Sequence, residues 1–308
     1  PVAILVVVFY VATVHWRSPK WIDIQLAYLR RNMGEPFKTF AVLNGIDPAF
    51  HDRFDTLIPA NGTHAGKLNL MAAEIADIAR PDDVIVFLDG DAFPIADPVP
   101  AISRALSEGS LLAVRRDENA GDCQPHPSFC AIRVSEWLRL AGDWSPGYVW
   151  TNSDGRRVTD VGANLLASLV RSRTTWTPLL RSNLWNPHPL WFGVYGDLVY
   201  HHGAGFRPGR GTRAEGSLAP AFDRGEELPG AGRALRTAKL LRSRRAAGRL
   251  YRQAEALNDA WFDRIEADPD FFSALLRAPA APGGPGRLPV VTPDDRSPGE
   301  DRQPRAAR

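Results

Sequence analysis

The chain has 308 residues, 44% of them hydrophobic and 23% charged, with a formal net charge of +2. That composition can fill a core of full enzyme size, and so small a net charge gives no global case for a nucleic-acid partner. Two cysteines, Cys123 and Cys130, exclude a disulfide scaffold and suit a reducing, cytoplasmic setting.

The chain opens on an apolar run, Val2 to Val14. It is too short to span a bilayer, which takes about 20 residues, and it lacks the basic start and cleavage site of a signal peptide. Its Val and Ile content predicts a first buried strand. Ser18 and Pro19 then read as the N-cap and first position of a helix whose face carries Trp21, Ile22, Leu26 and Leu29. Gly34 is its stop signal, and Thr39 to Leu43 is a second strand. Strand, helix, strand opens a nucleotide-binding α/β unit. Neither a Gly-x-Gly-x-x-Gly turn nor a P-loop follows the first strand, which argues against dinucleotide and ATPase readings.

Residues 61–70 read N-G-T-H-A-G-K-L-N-L, and Leu68, Met71, Ile75 and Ile78 have helical spacing up to Pro81. His64, Gly66 and Lys67 therefore sit at or just before a helix N-terminus, where free N–H groups and the dipole favour phosphate. A solvated Lys67 on a turn is the plain alternative.

Val84–Pro94 reads V-I-V-F-L-D-G-D-A-F-P. Five apolar residues predict a strand buried on both faces. Two carboxylates, Asp89 and Asp91, then stand at its carboxyl end, the edge where α/β sheets bind ligands. Carboxylates there are costly without counter-charge, and hard oxygen ligands suit Mg²⁺ or Mn²⁺. A polar turn ending the strand is the simpler alternative.

Asp97-Pro98 starts a short helix through Ile102 and Leu106, and Leu111–Val114 is the next strand. Residues 116–128 form a long polar loop in which Asp117, Glu118, Asp122 and His126 could face a substrate, with a solvated surface loop as the plainer reading for any one of them. Phe129–Val134 is a strand and Glu136–Leu140 a short helix. Trp144, Tyr148, Trp150 and later Trp176, Trp185, Trp191 and Tyr195 offer ring faces to sugars, although most tryptophans pack in cores. Asp160 precedes a helix carrying Leu165, Leu166 and Leu169 and is a natural N-cap.

Leu198–Pro208 reads L-V-Y-H-H-G-A-G-F-R-P. A short apolar strand ends in His201 and His202, followed by glycines and Arg207. Imidazole suits a metal, glycine allows close backbone approach, and Arg suits diphosphate. Residues 210–230 read as a linker. Ala234–Ala267 reads as a helix whose first half is basic, a face suited to solvent or to anionic lipid. Residues 278–308 have the composition of a disordered tail.

An apolar strand ending in D-x-D resembles the metal and nucleotide-sugar motif of GT-A glycosyltransferases. The order of strand, phosphate-side segment, D-x-D, aromatic region and late histidine is similar over residues 1–209. The resemblance implies a Rossmann-like mixed sheet flanked by helices, with residues 210–277 as linker and helical extension. It also implies a nucleotide-sugar donor, with a sugar, lipid-linked or small-molecule acceptor. In that family residues near Lys67 approach the nucleotide, an acid in the place of Asp160 often serves the acceptor, and a late histidine completes the metal shell begun by D-x-D. The segment from Leu198 resembles the H-x-x-G-x-x-K-P-W signature of the family-eight retaining glycosyltransferases. His201 matches the spacing to Arg207-Pro208 and His202 the spacing to Gly205, while Arg207 replaces Lys and Gly209 replaces Trp. Either histidine, with Asp89 and Asp91, can be the ligand.

A haloacid-dehalogenase-type phosphatase also carries D-x-D, but it wants Thr or Val where Phe93 stands, and on its first strand. A sugar nucleotidyltransferase needs a Gly-rich basic loop where this chain has H-W-R-S-P-K. A carbohydrate or nucleotide-sugar binder without turnover remains a reading of a different class.

Overall fold

The computed structural model describes residues 7–203 and 253–277. The predicted linker, the basic half of the C-terminal helix, the tail and Arg207 lie outside the described residues.

Strand β1 (Phe9–Trp16) leads to helix α1 (Ile22–Asn32), β2 (Phe37–Asn44) and the short β3 (Thr56–Leu57). Helix α2 (His64–Ile78) precedes β4 (Val84–Asp89), β5 (Ala92–Pro94), α3 (Val99–Glu108) and β6 (Leu111–Val114). Strand β7 (His126–Arg133) and α4 (Val134–Arg139) follow, then β8 (Trp150–Thr151), β9 (Arg157–Val158) and α5 (Ala163–Arg171). The series continues with β10 (Thr177–Leu179), β11 (Gly193–Tyr195), β12 (Val199–His201) and a helix α6 over residues 253–267. Two elements begin later than the sequence suggests. Helix α1 starts at Ile22 rather than Pro19, because a turn in which Ile22 N–H donates to the Pro19 carbonyl (2.9 Å) comes first. Helix α5 starts after Gly162, not after an Asp160 cap. Gly162 sits at φ +94° with its α-carbon against the Pro125 carbonyl, a place where any Cβ would clash.

Seven strands form one sheet in the order β10-β6-β7-β4-β1-β2-β3. β1 pairs in parallel with β2 and β4, whereas β7 runs antiparallel between β4 and β6. The expected mixed α/β sheet flanked by helices is therefore what the chain forms. Period two sorts the strand residues between its faces. Val84, Val86 and Leu88 join Ile22, Leu26 and Leu29 of α1 and Ile102 of α3. Ile85 and Phe87 join Leu68, Met71 and Ile75 of α2 with Trp137 and Leu165. Ile78, which shares the helical spacing of Leu68, Met71 and Ile75, is the last residue of α2 and is 62% exposed. Among the described residues no helix is long and apolar enough to cross a membrane.

A second, three-stranded sheet, β11-β12-β5, is antiparallel and grows from the turn after β4. Its outer face is covered by residues 253–277: Ala254, Trp261, Ile265 and Phe271 pack with Trp21, Phe93, Phe192 and Tyr200. The C-terminal segment is thus part of the packing that supports β12. Trp261 is 4% exposed, so Trp261→Ala should cost about 3–5 kcal/mol by the usual penalty for a large buried aromatic. Urea unfolding measures this, and a loss under about 1 kcal/mol would mean that α6 contributes little to the core.

Candidate functional site

The strands determine where chemistry can gather. β1, β4 and β6 share one direction, so Trp16, Asp89 and the residues after Val114 come out at the same edge. β7 runs the other way, so its first residue, His126, starts there. A cavity of about 480 Å³ opens at this edge, lined among others by Lys67, Asp89, Asp91, Arg116, Asp160 and His201.

Asp89 ends β4, and Gly90-Asp91 turn the chain into β5. β12 pairs with β5 so that His201 lies opposite Ala92, and His202 N–H donates to the Asp91 carbonyl at 3.0 Å. This register carries the His201 ring to the two carboxylates. Its Nε2 is 3.7 Å from Asp89 Oδ2 and 3.5 Å from Asp91 Oδ1. One ligand atom from each of the three residues lies within 4.8 Å of the others. Two carboxylates and an imidazole at that spacing fit a hard divalent cation.

His202 does not join them. Tyr200 O–H donates to its Nδ1 (2.9 Å), and its Nε2–H donates to Asn258 Oδ1 (2.6 Å). The ring is fully buried, and burial pushes its pKa down to about 4. Both nitrogens are hydrogen-bonded at the joint between β12 and α6, and the group of three ligand atoms contains His201 and not His202.

His64 is the first residue of α2, and its Nε2–H donates to Asp89 Oδ1 at 2.9 Å. It steadies a carboxylate, as outer-shell partners do. Thr63 Oγ1 accepts from Gly66 N–H (3.1 Å), so one of the helix's open donors is already capped. Lys67 lies a turn in, 7% exposed, and burial lowers its pKa. Asp160 lines the cavity half-buried, its Oδ1 accepting from Val161 N–H at 2.8 Å.

The polar loop divides. Asp117 pairs with Arg115, Glu118 accepts from the Tyr195 hydroxyl (2.6 Å), and Asp122 is buried beside Arg116 and Asn119, its pKa raised by that burial. Of the four residues read as facing a substrate, His126 alone lines the cavity. Ser128 N–H donates to its Nδ1 (3.1 Å), which makes Nε2–H the neutral tautomer, and its ring lies 5.7 Å from that of His201. Trp144 and Trp191 are core residues, 0% and 3% exposed. The tryptophan on the cavity wall is Trp16, 40% exposed with the Arg17 guanidinium 4.5 Å above it. Sequence reading passed over Trp16, Arg116 and Gln25, whose amide holds the D-x-D turn from behind. Trp16 had one signal, its place at the end of a strand parallel to β4.

Neither a family model nor a curated protein matches the sequence. Solved structures match in part. TarS of S. aureus has 13% identity over 44% of this chain and 30% of its own, with a TM-score of 0.34. The mannosyltransferase PcManGT from Pyrobaculum calidifontis, solved with GDP-Man and Mn²⁺, has 14% identity over 44% and 47%, with a TM-score of 0.34. The galactosyltransferase LgtC, solved with donor and acceptor sugar analogs, has 11% identity over 52% and 70%, with a TM-score of 0.33. The chain thus spans less than half the length of the first two. These scores carry no argument on their own, and the functional reading rests on the cavity.

Proposed function

We propose that the chain is a metal-dependent glycosyltransferase that moves a sugar from a nucleotide-diphosphate sugar to an acceptor. One observation carries the reading: His201, distant in sequence from Asp89 and Asp91, meets them on one wall of the cavity at ligand spacing. Asp89 and Asp91 would bind Mn²⁺ or Mg²⁺ through carboxylate oxygens and His201 through Nε2. When bound, such an ion neutralises the diphosphate leaving group as the glycosidic bond breaks.

The remaining roles belong to side chains. His64 holds one oxygen of Asp89 and so orients the other. Lys67 brings a positive charge to the same wall, near enough to the α2 N-terminus to favour phosphate. Asp160, also on the cavity wall, is the group we assign to the acceptor, as its base or its anchor. A cavity of about 480 Å³ lies within the usual range for small-molecule sites, about 300–1,000 Å³.

The test is donor turnover over a panel of nucleotide sugars with and without Mn²⁺, joined to Mn²⁺ titration of His201→Ala and His202→Ala. Turnover should require the ion. His201→Ala should bind Mn²⁺ at least about tenfold more weakly, by analogy with losses at outer-shell positions. His202→Ala should bind it nearly as the wild type does but melt lower. Donor affinity without turnover would favour a binding protein, and equal Mn²⁺ affinity in both variants would remove His201 from the site.

A further inference from the structure

We propose that Gln25 is a positioning residue for the carboxylate turn. This rests on the metal reading of Asp89 and Asp91 and adds the group that holds their backbone. Gln25 lies in α1 and is 0% exposed. A primary amide has two N–H donors and an oxygen with two lone pairs, and Gln25 uses all four. Its Nε2 donates to the Asp89 carbonyl and to the Ala92 carbonyl, both at 2.8 Å. Its Oε1 accepts from Thr13 Oγ1 at 3.0 Å and from His15 Nε2 at 3.1 Å.

The donor end is the informative half. Asp89 and Ala92 bracket Gly90 and Asp91, so one amide nitrogen ties both ends of the turn to a single point. The acceptor end is anchored on β1. Thr13 and His15 are two residues apart on that strand, so they face the same side of the sheet, the side covered by α1. β1 pairs with β4 in the register Val14 to Asp89, which places the anchor beside the turn it secures. Gln25 is thus a brace between the strand that frames the cavity and the turn that carries both carboxylates. Ligands held this way reach their ion without being reordered, which is where positioning residues act.

Two isosteric variants separate positioning from stability. Gln25→Met removes all four bonds, while Thr13→Val removes one bond at the acceptor end and leaves both carbonyls held. Both should melt lower than the wild type. Gln25→Met alone should speed amide exchange over residues 89–93 and weaken Mn²⁺ binding at least about tenfold, the size of loss expected at such positions. Where Gln25→Met fails to fold, Gln25→Glu, which keeps an acceptor toward Thr13 and His15, takes its place. A folded variant with the exchange and Mn²⁺ affinity of Thr13→Val overturns the proposal. If the wild type and Asp91→Asn bind Mn²⁺ alike, it is the metal reading that fails. Exchange over residues 89–93 then decides alone whether Gln25 holds the turn.

Discussion

Asp91→Asn is expected to abolish Mn²⁺-dependent turnover and to leave the fold intact. The side chain is 5% exposed and its Oδ1 lies 3.5 Å from His201 Nε2, within the group of three ligand atoms. Asparagine keeps the shape and removes the charge. Changes to groups that merely support a metal ligand cost about 10- to 100-fold, so removing a ligand itself should cost about 100-fold or more. Stability should move the other way. Two carboxylates this close, one of them buried, repel each other when no cation lies between them, so the variant should melt no lower than the wild type in chelator. Added Mn²⁺ at about 100 times its dissociation constant should stabilise the wild type by about 2.7 kcal/mol and the variant by almost nothing. Equal turnover at saturating metal would sink the D-x-D assignment.

The second large effect is acid destabilisation. His15 and His188 are 0% and 4% exposed, and burial, as the largest cause, lowers both pKa values to about 4. Arg181 adds to the lowering at His188. Both rings are held as neutral imidazoles. His15 donates from Nε2 to Gln25 (3.1 Å), and His188 Nδ1 accepts from the N–H groups of Leu190 (3.2 Å) and Trp191 (3.1 Å). The folded pKa lies below the unfolded value of about 6.5, so between pH 6.5 and 4 the unfolded chain binds more protons. Stability from these two groups is fully present above pH 6.5 and is lost as pH falls toward 4. His202, lowered to about 4 by burial in the same way, titrates over the same window, and three protons give a slope of about 4 kcal/mol per pH unit in its middle, a large share of a typical total of about 5–15 kcal/mol. Urea midpoints from pH 7.5 to 4.5 measure it. His188→Asn, whose Oδ1 can accept the same N–H groups, should lose about a third of the slope. A slope unchanged by that substitution would mean that His188 does not take up the proton.

Much of the architecture was legible because its signals are local. Val84–Leu88 and Leu111–Val114 are strands of apolar residues, and the spacing of Leu68, Met71 and Ile75 is that of a helix face. Asp89 and Asp91 announced themselves as carboxylates at the end of a buried strand, a costly place for charge without a purpose. The histidines could not be separated that way. His201 and His202 are adjacent, and consecutive residues of an extended chain point to opposite sides. Which side holds the carboxylates depends on β12 pairing with β5, and which holds a competing partner depends on Asn258 arriving from α6. Gln25 was silent for a related reason. A glutamine in an apolar helix stretch carries no pattern until the packing of α1 against β1 and β4 brings two carbonyls, a hydroxyl and an imidazole around one amide. The sequence by itself therefore determined which segments are strands and helices and where a charged turn must fall, since periodicity and burial act between near neighbours. Tertiary structure alone decided which histidine faces the cavity, which loop residues line it and what braces its turn. Those depend on contacts between strands and helices far apart in the chain, whose register no local pattern encodes.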